Sequence, residues 1–202
     1  MISAAIRVST KLASHRRFGL LSTLVITLVG LIIRFGNLAN PRLLIFDETY
    51  YVKDAYTLGL FGSERNWQAG ANAEFEMGNL SGFLDTAAYV VHPPFGKWVI
   101  WLGMQLFGAD SAFGWRFATA LLGTLMIPLV IIIARRLIGS NFFAAVAGLM
   151  MALEGLSITL SRTAILDGIL AFFALLAFYF VIRDQEAWER RLRHARSNGL
   201  VI

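Results

Sequence analysis

Four apolar stretches of roughly twenty residues dominate the sequence and limit what the chain can fold into. They cover 18–36, 116–136, 142–160 and 164–182. An α-helix rises ~1.5 Å per residue, so each stretch is about long enough to cross ~30 Å of hydrocarbon. In lipid, each backbone N–H and C=O must be paired within the protein, and a helix achieves this within one segment. The sequence therefore predicts an all-α, multi-span membrane protein with about four transmembrane helices.

The composition supports a membrane protein and argues against nucleic-acid binding. Apolar residues make up 57% of the 202 residues and charged residues only 15%, whereas soluble domains carry about a quarter charged residues. The net charge of +5 comes from Lys and Arg residues at the ends of apolar stretches, not along one interleaved face. We therefore expect membrane lipids, and no nucleic acid, as partners. The absence of Cys excludes disulfides and thiolate–metal sites.

The positions of the basic residues predict the topology. A fifth apolar stretch, 98–107, is only about half the length of a span, so we interpret it as a helix at the outer interface. With four spans, the basic groups before the first, between the second and third, and after the fourth all lie in the cytoplasm. This places 1–17 and the basic tail 183–202 inside, and a long loop over 37–115, with its juxtamembrane helices, outside.

Two groups of polar residues in the long loop are candidates for chemistry. Asp47 and Glu48 are adjacent carboxylates just past the first span, where they can act on a membrane-borne substrate. The alternative is that Asp47 caps a helix starting at Glu48. His92 and Lys97 flank Pro93-Pro94, and they can bind an anionic headgroup or simply mark a rigid helix entry.

Charged residues within or at the ends of spans form a third group. Arg34, Arg116 and Arg162 lie near the predicted outer ends, and Glu154 and Asp167 lie further inward. Ionisable groups at such depths are costly and suggest function, although pairing of Arg162 with Glu154 or Asp167 is an equally good structural explanation. Converging guanidinium groups suit a phosphate, which they bind in bidentate fashion.

Four segments, in this order and spacing, resemble those of the protein O-mannosyltransferases, particularly the branch typical of actinobacteria. The segments are Phe46–Ala55 (FDETYYVKDA), Val91–Lys97 (VHPPFGK), Gly114–Phe117 (GWRF) and Ser161–Asp167 (SRTAILD). The resemblance runs from about Arg34 to Ile182. It implies the N-terminal portion of a glycosyltransferase of the GT-C class.

The resemblance also implies an activity and roles for individual residues. Such enzymes transfer mannose, with inversion, from a polyprenyl-phosphate donor to Ser or Thr hydroxyls of exported proteins at the extracytoplasmic face of the plasma membrane. The resemblance implies no cofactor and no metal, and the protein export machinery is a further candidate partner. Asp47 matches the catalytic base, and Glu48 supports it. The implied substrate-binding residues are Arg34, His92, Lys97, Arg116, Arg162 and Asp167.

Several alternatives remain open at the level of the sequence. Members of this family are far longer, so the chain is expected to be an N-terminal fragment, truncated soon after its fourth span. A lipid-linked sugar transferase acting on a glycolipid or a cell-wall glycan would carry similar short motifs. A non-catalytic membrane subunit is also compatible with a truncated chain. A transporter is disfavoured, because its ionisable residues should lie near the midplane, often within an inverted repeat.

Overall fold

A computed structural model of the protein describes residues 16–197. Eight helices and two strands lie in this part of the chain: α1 (Arg16–Phe35), α2 (Glu48–Phe61), β1 (Arg65–Trp67), α3 (Ala71–Glu76), β2 (Phe83–Ala87), α4 (Phe95–Phe107), α5 (Ala112–Ile138), α6 (Asn141–Leu153), α7 (Gly155–Ser161) and α8 (Leu166–Ser197). The segment predicted as a cytoplasmic N-terminus, 1–17, falls almost wholly outside the described residues. The last five residues of the predicted tail do so as well.

Helix α5 is the central element, and α1, α4, α6 and α8 all pack against it. Its ends are well defined: the Ser111 hydroxyl accepts a hydrogen bond from the backbone N–H of Phe113, and Gly139 ends the helix in the left-handed conformation. Small residues on its buried side allow close helix contacts. At Gly123 an added Cβ would collide with the side chain of Ser161 on α7, so only glycine allows this approach.

The helices confirm the predicted fold class. Three of them, α1, α5 and α8, are long and apolar enough to cross a membrane, and α6 with α7 forms a fourth candidate. The bounds differ from those predicted at several ends. The helix predicted over 116–136 extends over Ala112–Ile138, and the one predicted over 164–182 continues to Ser197.

The largest difference lies in the third span. The sequence predicts one continuous helix over 142–160, whereas the structure has two helices that meet at Glu154 with a bend of 58°. Glu154 adopts an extended backbone, and its carboxylate accepts hydrogen bonds from the N–H groups of Leu156 and Ser157. This carboxylate therefore begins a new helix in the middle of an apolar run. Apolar length alone gives no sign of such a break.

The loop between α1 and α5 is a folded unit with an aromatic core. Helices α2 and α4 pack together, and the rings of Tyr56, Trp67, Phe75 and Trp101 contact one another between them. Strands β1 and β2 form an antiparallel pair that the sequence analysis does not predict. This unit holds the N-terminus of α2 close to the ends of α1 and α5.

Candidate functional site

The N-terminus of α2 is fixed by a fully buried carboxylate. Glu48 accepts hydrogen bonds from Nε and Nη2 of Arg116, both at 2.8 Å, so the pair is bidentate. It also accepts from the backbone N–H of Ile45, at 2.9 Å, and from that of Ala164, at 2.7 Å. Both side chains are buried, and four hydrogen bonds occupy the carboxylate. Glu48 therefore joins α2 to α5 and to the segment before α8.

Asp47, the neighbouring carboxylate, has a different environment. It occupies the N-cap position of a helix that begins at Glu48, as the alternative considered from the sequence expects, but its side chain makes no capping hydrogen bond. The side chain is half-buried, and its Oδ2 lies 3.3 Å from the hydroxyl of Tyr51. Because Glu48 is anchored on the inner side, Asp47 faces outward into a groove.

That groove, which we call the polar groove, has a volume of about 590 Å³. Its lining comes from the start of α2, from β1 and from the segment after β2: Asp47, Thr49, Tyr50, Tyr51, Lys53, Asp54, Arg65, Asn66, Trp67, Ala88, Tyr89, Val91 and His92. Two carboxylates, one amide, one ammonium, one guanidinium and several aromatic rings are among these side chains. Such a surface suits a polar ligand such as a peptide or a sugar.

A second cavity, of about 340 Å³, lies on the other side of Tyr51 and His92. We call it the apolar cavity, because its walls are mostly aliphatic and aromatic side chains from α4 and α8: Phe95, Leu166, Ile169, Leu170 and Phe173, with Asp167 among them. Tyr51 and His92 line both cavities, and their rings meet edge to face at 5.5 Å between centroids. The two cavities thus meet at one aromatic pair.

The three arginines predicted to bind a phosphate, Arg34, Arg116 and Arg162, donate hydrogen bonds to groups of the protein itself. Besides Glu48, Arg116 contacts the carbonyls of Leu38, Pro41 and Leu43 at 2.8–3.3 Å. We call Arg34, Glu48, Arg116 and Arg162 the helix junction, because each of these side chains joins separate elements.

Arg34 and Arg162 join α1 to α7 from opposite sides. Arg34 is fully buried, and it donates to the carbonyls of Met151 and Ala152 beside the α6–α7 break, and to the hydroxyls of Ser157 and Ser161. Arg162 donates to the carbonyls of Ile33 and Arg34 in the last turn of α1 and to those of Gly36 and Asn37 just after it. Carbonyls in the last turn of a helix have no partner within that helix. Arg162 therefore bonds to the end of α1, and the ion pair with Glu154 or Asp167, one of the two explanations left open by the sequence, is not formed among the described residues.

Lys97 is also buried and lines neither cavity. Its Nζ lies 3.0 Å from Oδ2 of Asp54 and 3.1 Å from Oε1 of Glu64, so one ammonium group faces two carboxylates. Burial raises the pKa of Asp54, and the charge of Glu64 adds to this effect, while Lys97 and Lys53 oppose it. The sequence analysis predicts none of this cluster beyond Lys97, because Asp54 and Glu64 come from two other elements.

The structure thus separates the eight predicted site residues. Asp47 and His92 line the polar groove, and His92 and Asp167 line the apolar cavity. The other predicted residues, Glu48, Arg34, Lys97, Arg116 and Arg162, are held in contacts within the protein. Tyr51 is the residue that the sequence analysis does not identify. Its spacing of four from Asp47 on one helix face is the signal that indicates it. Among residues 16–197, no cluster of His, Asp and Glu is arranged to hold a metal ion.

Comparison with known proteins gives a consistent family. The profile described as "Dolichyl-phosphate-mannose-protein mannosyltransferase" matches residues 80–197. A Mycobacterium tuberculosis protein named "Polyprenol-phosphate-mannose--protein mannosyltransferase" is 37% identical over 186 residues, which are 90% of this chain and 32% of that protein. A Corynebacterium glutamicum protein of the same name is 33% identical, over 83% of this chain and 31% of its own length.

A human protein, "Protein O-mannosyl-transferase 1", is 33% identical over 78% of this chain and 20% of its own length. The chain spans about a third of the length of the bacterial relatives it matches. No solved structure shows a significant match. The matched profile covers more than half of the chain, including Lys97, Arg116 and Asp167. The chain therefore belongs to the dolichyl-phosphate-mannose-protein mannosyltransferase family, whose members are membrane glycosyltransferases of the GT-C class.

Proposed function

We propose that this chain supplies the catalytic face of an inverting mannosyltransferase, which transfers mannose from polyprenyl phosphate to Ser or Thr hydroxyls of exported proteins. One observation supports this above all: Asp47 opens into a polar groove at the point where that groove meets an apolar cavity. A lipid-linked sugar and a peptide hydroxyl need two such sites that share one boundary. The names of the bacterial relatives specify the same donor and a protein acceptor.

The reaction is a single displacement with Asp47 as the base. The acceptor hydroxyl enters from the polar groove, and its oxygen forms a bond to the anomeric carbon of mannose. The bond from that carbon to the phosphate oxygen breaks, and the oxygen keeps the electron pair. The leaving group is the lipid phosphate. The hydroxyl proton passes to Asp47 as the new bond forms. Holding both reactants against one carboxylate provides the remaining rate enhancement.

Glu48 acts through its contacts rather than by touching substrate. Its four hydrogen bonds fix the first turn of α2, so that Asp47 keeps a defined position at the groove. Arg116 provides the cation that makes burial of this carboxylate tolerable. We therefore assign Glu48 and Arg116 to positioning of the base.

The donor lies with its lipid in the apolar cavity. The aromatic and aliphatic side chains of α4 and α8 there match an isoprenoid chain, and α8 is a candidate membrane span. His92 lines both cavities, and we assign to it a hydrogen bond to the phosphate. Asp167 also lines the apolar cavity, and we assign to it the acceptance of hydrogen bonds from sugar hydroxyls.

The active face is extracytoplasmic in the plasma membrane. Arg135 and Arg136 lie at the C-terminal end of α5, where Arg135 contacts the carbonyl of Gly19 near the start of α1. Arg116, which bonds to Glu48 of α2, lies at the other end of α5. The positive-inside rule places the Arg135 end in the cytoplasm and the cavities on the outer side.

The experiment measures mannose transfer from radiolabelled polyprenyl-phosphate-mannose to a Ser/Thr-rich peptide. It uses membranes carrying this chain, and a chimaera in which residues 16–197 replace the matching third of the M. tuberculosis relative. Asp47→Asn keeps the size of the side chain and removes the base, so transfer should fall by about 10²–10⁴-fold. Asp110→Asn, an exposed carboxylate in the same loop but outside both cavities, is the matched control.

The alternatives give different results in the same assay. If the label appears in a glycolipid fraction and not in the peptide, the assignment of the donor site stands and the assignment of a protein acceptor is wrong. Full transfer by the Asp47→Asn chimaera would show that Asp47 is not the base. If this chain is a non-catalytic subunit, Asp47→Asn should leave the activity of the chimaera unchanged. Deletion of the whole segment should still abolish that activity.

A further inference from the structure

Among residues 16–197, Tyr51 is the one residue that lines both cavities and also hydrogen-bonds to the proposed base. It lines the polar groove and the apolar cavity, and its hydroxyl lies 3.3 Å from Oδ2 of Asp47. His92 also lines both cavities and packs on the Tyr51 ring, but no hydrogen bond joins His92 to Asp47. The position of Tyr51 therefore raises the question of what its hydroxyl does.

The ring of Tyr51 is packed in a buried hydrophobic cluster. The residue is 8% exposed and belongs to the same buried cluster as Val52, Ala55 and Ile100. A ring fixed in this way leaves the hydroxyl few positions, so the oxygen stays near Asp47. Helix geometry has the same effect, since residues four apart lie one above the other on a helix face.

The charges around Tyr51 keep it a hydrogen-bond donor. Burial raises the pKa of the Tyr51 hydroxyl, and the negative charges of Asp47, Asp167 and Asp54 raise it further. The hydroxyl is therefore protonated at neutral pH and donates to the nearest carboxylate, Asp47. The 3.3 Å separation is long for an O–H···O bond, and such bonds in substrate-free sites often shorten when substrate binds.

From this geometry we propose that Tyr51 is a positioning residue that holds the Asp47 carboxylate in the orientation needed to accept the acceptor proton. The proposal rests on the proposed function of Asp47 as the base. The hydrogen bond occupies Oδ2 and directs Oδ1 toward the acceptor hydroxyl. The rotation of a carboxylate at the start of a helix is otherwise free, since no capping hydrogen bond restrains Asp47.

The anchoring of Glu48 and the bond from Tyr51 restrain Asp47 in complementary ways. Four hydrogen bonds to Glu48 set the position of the backbone at the start of α2. The hydroxyl of Tyr51 sets the rotation of the adjacent side chain. Precise orientation of a base affects the rate of the chemical step more than the binding of either substrate.

The test removes only the hydroxyl, by Tyr51→Phe in the chimaera described above. We expect kcat for mannose transfer to fall about 10- to 100-fold, the range for a hydrogen bond to a charged group, with KM for donor and peptide changed less than about twofold. Tyr56→Phe is the matched control. Tyr56 lies on the same helix and is packed among aromatic rings, but it lines neither cavity. Its substitution should leave kcat unchanged.

A double-mutant cycle separates positioning from a general effect on structure. In an Asp47→Glu background the longer carboxylate no longer matches the Tyr51 hydroxyl, so adding Tyr51→Phe should have less than about a twofold further effect. An equal loss in both backgrounds would overturn the proposal, because it would mean that Tyr51 acts independently of Asp47. A wild-type kcat in Tyr51→Phe would also overturn it.

The outcomes distinguish this inference from the proposed function. If Asp47→Asn abolishes transfer and Tyr51→Phe transfers normally, Asp47 remains the base and Tyr51 does not position it. If Asp47→Asn transfers normally, the base assignment itself is wrong, and the role of Tyr51 is rejected with it.

Discussion

The helix junction and the polar groove contain two carboxylates that are adjacent in the sequence but have opposite environments. Glu48, in the junction, is fully buried and accepts four hydrogen bonds. Asp47, one residue earlier, is half-buried and contacts one hydroxyl. The junction arginines are likewise occupied by protein carbonyls, whereas His92 and Asp167 face open space. We call a charged group saturated when hydrogen bonds from the protein occupy it, and open when it faces a cavity with few such bonds. Saturated charges hold the helices in place, and open charges remain available to a ligand.

This difference predicts two separate kinds of defect. Substitutions in the helix junction should lower the stability of the folded protein, and any loss of transfer should follow from that. Substitutions of Asp47 should lower transfer while leaving stability nearly unchanged. Unfolding by SDS in mixed micelles measures the first property, and mannose transfer measures the second.

The largest effect on stability is expected for Arg116→Met. The substitution leaves the buried carboxylate of Glu48 without a cation and removes the donors to the carbonyls of Leu38, Pro41 and Leu43. Breaking a buried ion pair from one side costs about 3–5 kcal/mol, so the SDS midpoint should fall sharply. The double variant Glu48→Gln/Arg116→Met should lose less, because no unpaired charge remains.

Arg42→Met serves as the control for Arg116→Met. Arg42 is exposed and donates to the backbone carbonyl of Asp110, so its replacement should change the free energy of unfolding by less than about 1 kcal/mol. Equal midpoints for Arg116→Met and Arg42→Met would contradict the structural role assigned to the junction.

A smaller, pH-dependent effect is expected at the Lys97 cluster. Lys97→Met leaves Asp54 and Glu64 facing each other without the ammonium group, which should cost about 2–3 kcal/mol at neutral pH. Because the pKa of Asp54 is raised by burial, the folded protein binds more protons than the unfolded chain above the ordinary Asp pKa. Stability from this group therefore falls as pH rises from the ordinary pKa to the raised one.

The pH dependence distinguishes the cluster from simple loss of packing. The loss in Lys97→Met should shrink on acidification, since protonation of Asp54 relieves the repulsion. Asp54→Asn removes one of the two carboxylates, so it should be mild and should abolish the fall in stability across that pH window. A loss in Lys97→Met that is equal at both ends of the window would show that charge plays no part.

The sequence was sufficient to predict the fold class, because long apolar runs leave a chain few structures in lipid. It was not sufficient to predict the break at Glu154, since one carboxylate can cap a helix inside an apolar run without changing the average hydropathy. The β1–β2 pair was also not predicted. Strand β1 is only three residues long and β2 five, and neither has a repeating apolar pattern.

The roles of the candidate site residues stay predictions, and the comparison of Asp47 with Glu48 explains why the sequence could not sort these residues by environment. The sequence shows which residues carry charge, and the motifs identify the segments that contain the candidate residues. Whether a given charge is saturated depends on carbonyls and carboxylates from distant segments, as for Arg34 with Met151 or Lys97 with Glu64. Such partners follow no local pattern, so the sequence could not separate anchoring residues from those that face the cavities.

The smallest effect is expected where a charge pair is open to water, and it tests whether burial, rather than pairing, makes the junction important. Asp85 pairs with Arg65 at 2.6 Å, but the Asp85 side chain is 94% exposed. Exposed pairs contribute about 0–1 kcal/mol, so Asp85→Asn should scarcely move the SDS midpoint, and high salt should erase the difference. Arg65→Gln should cost slightly more, because the guanidinium also lies 3.7 Å above the ring of Phe61. If Asp85→Asn matched Arg116→Met in its loss, pairing alone would determine stability, and the contrast between saturated and open charges would fail.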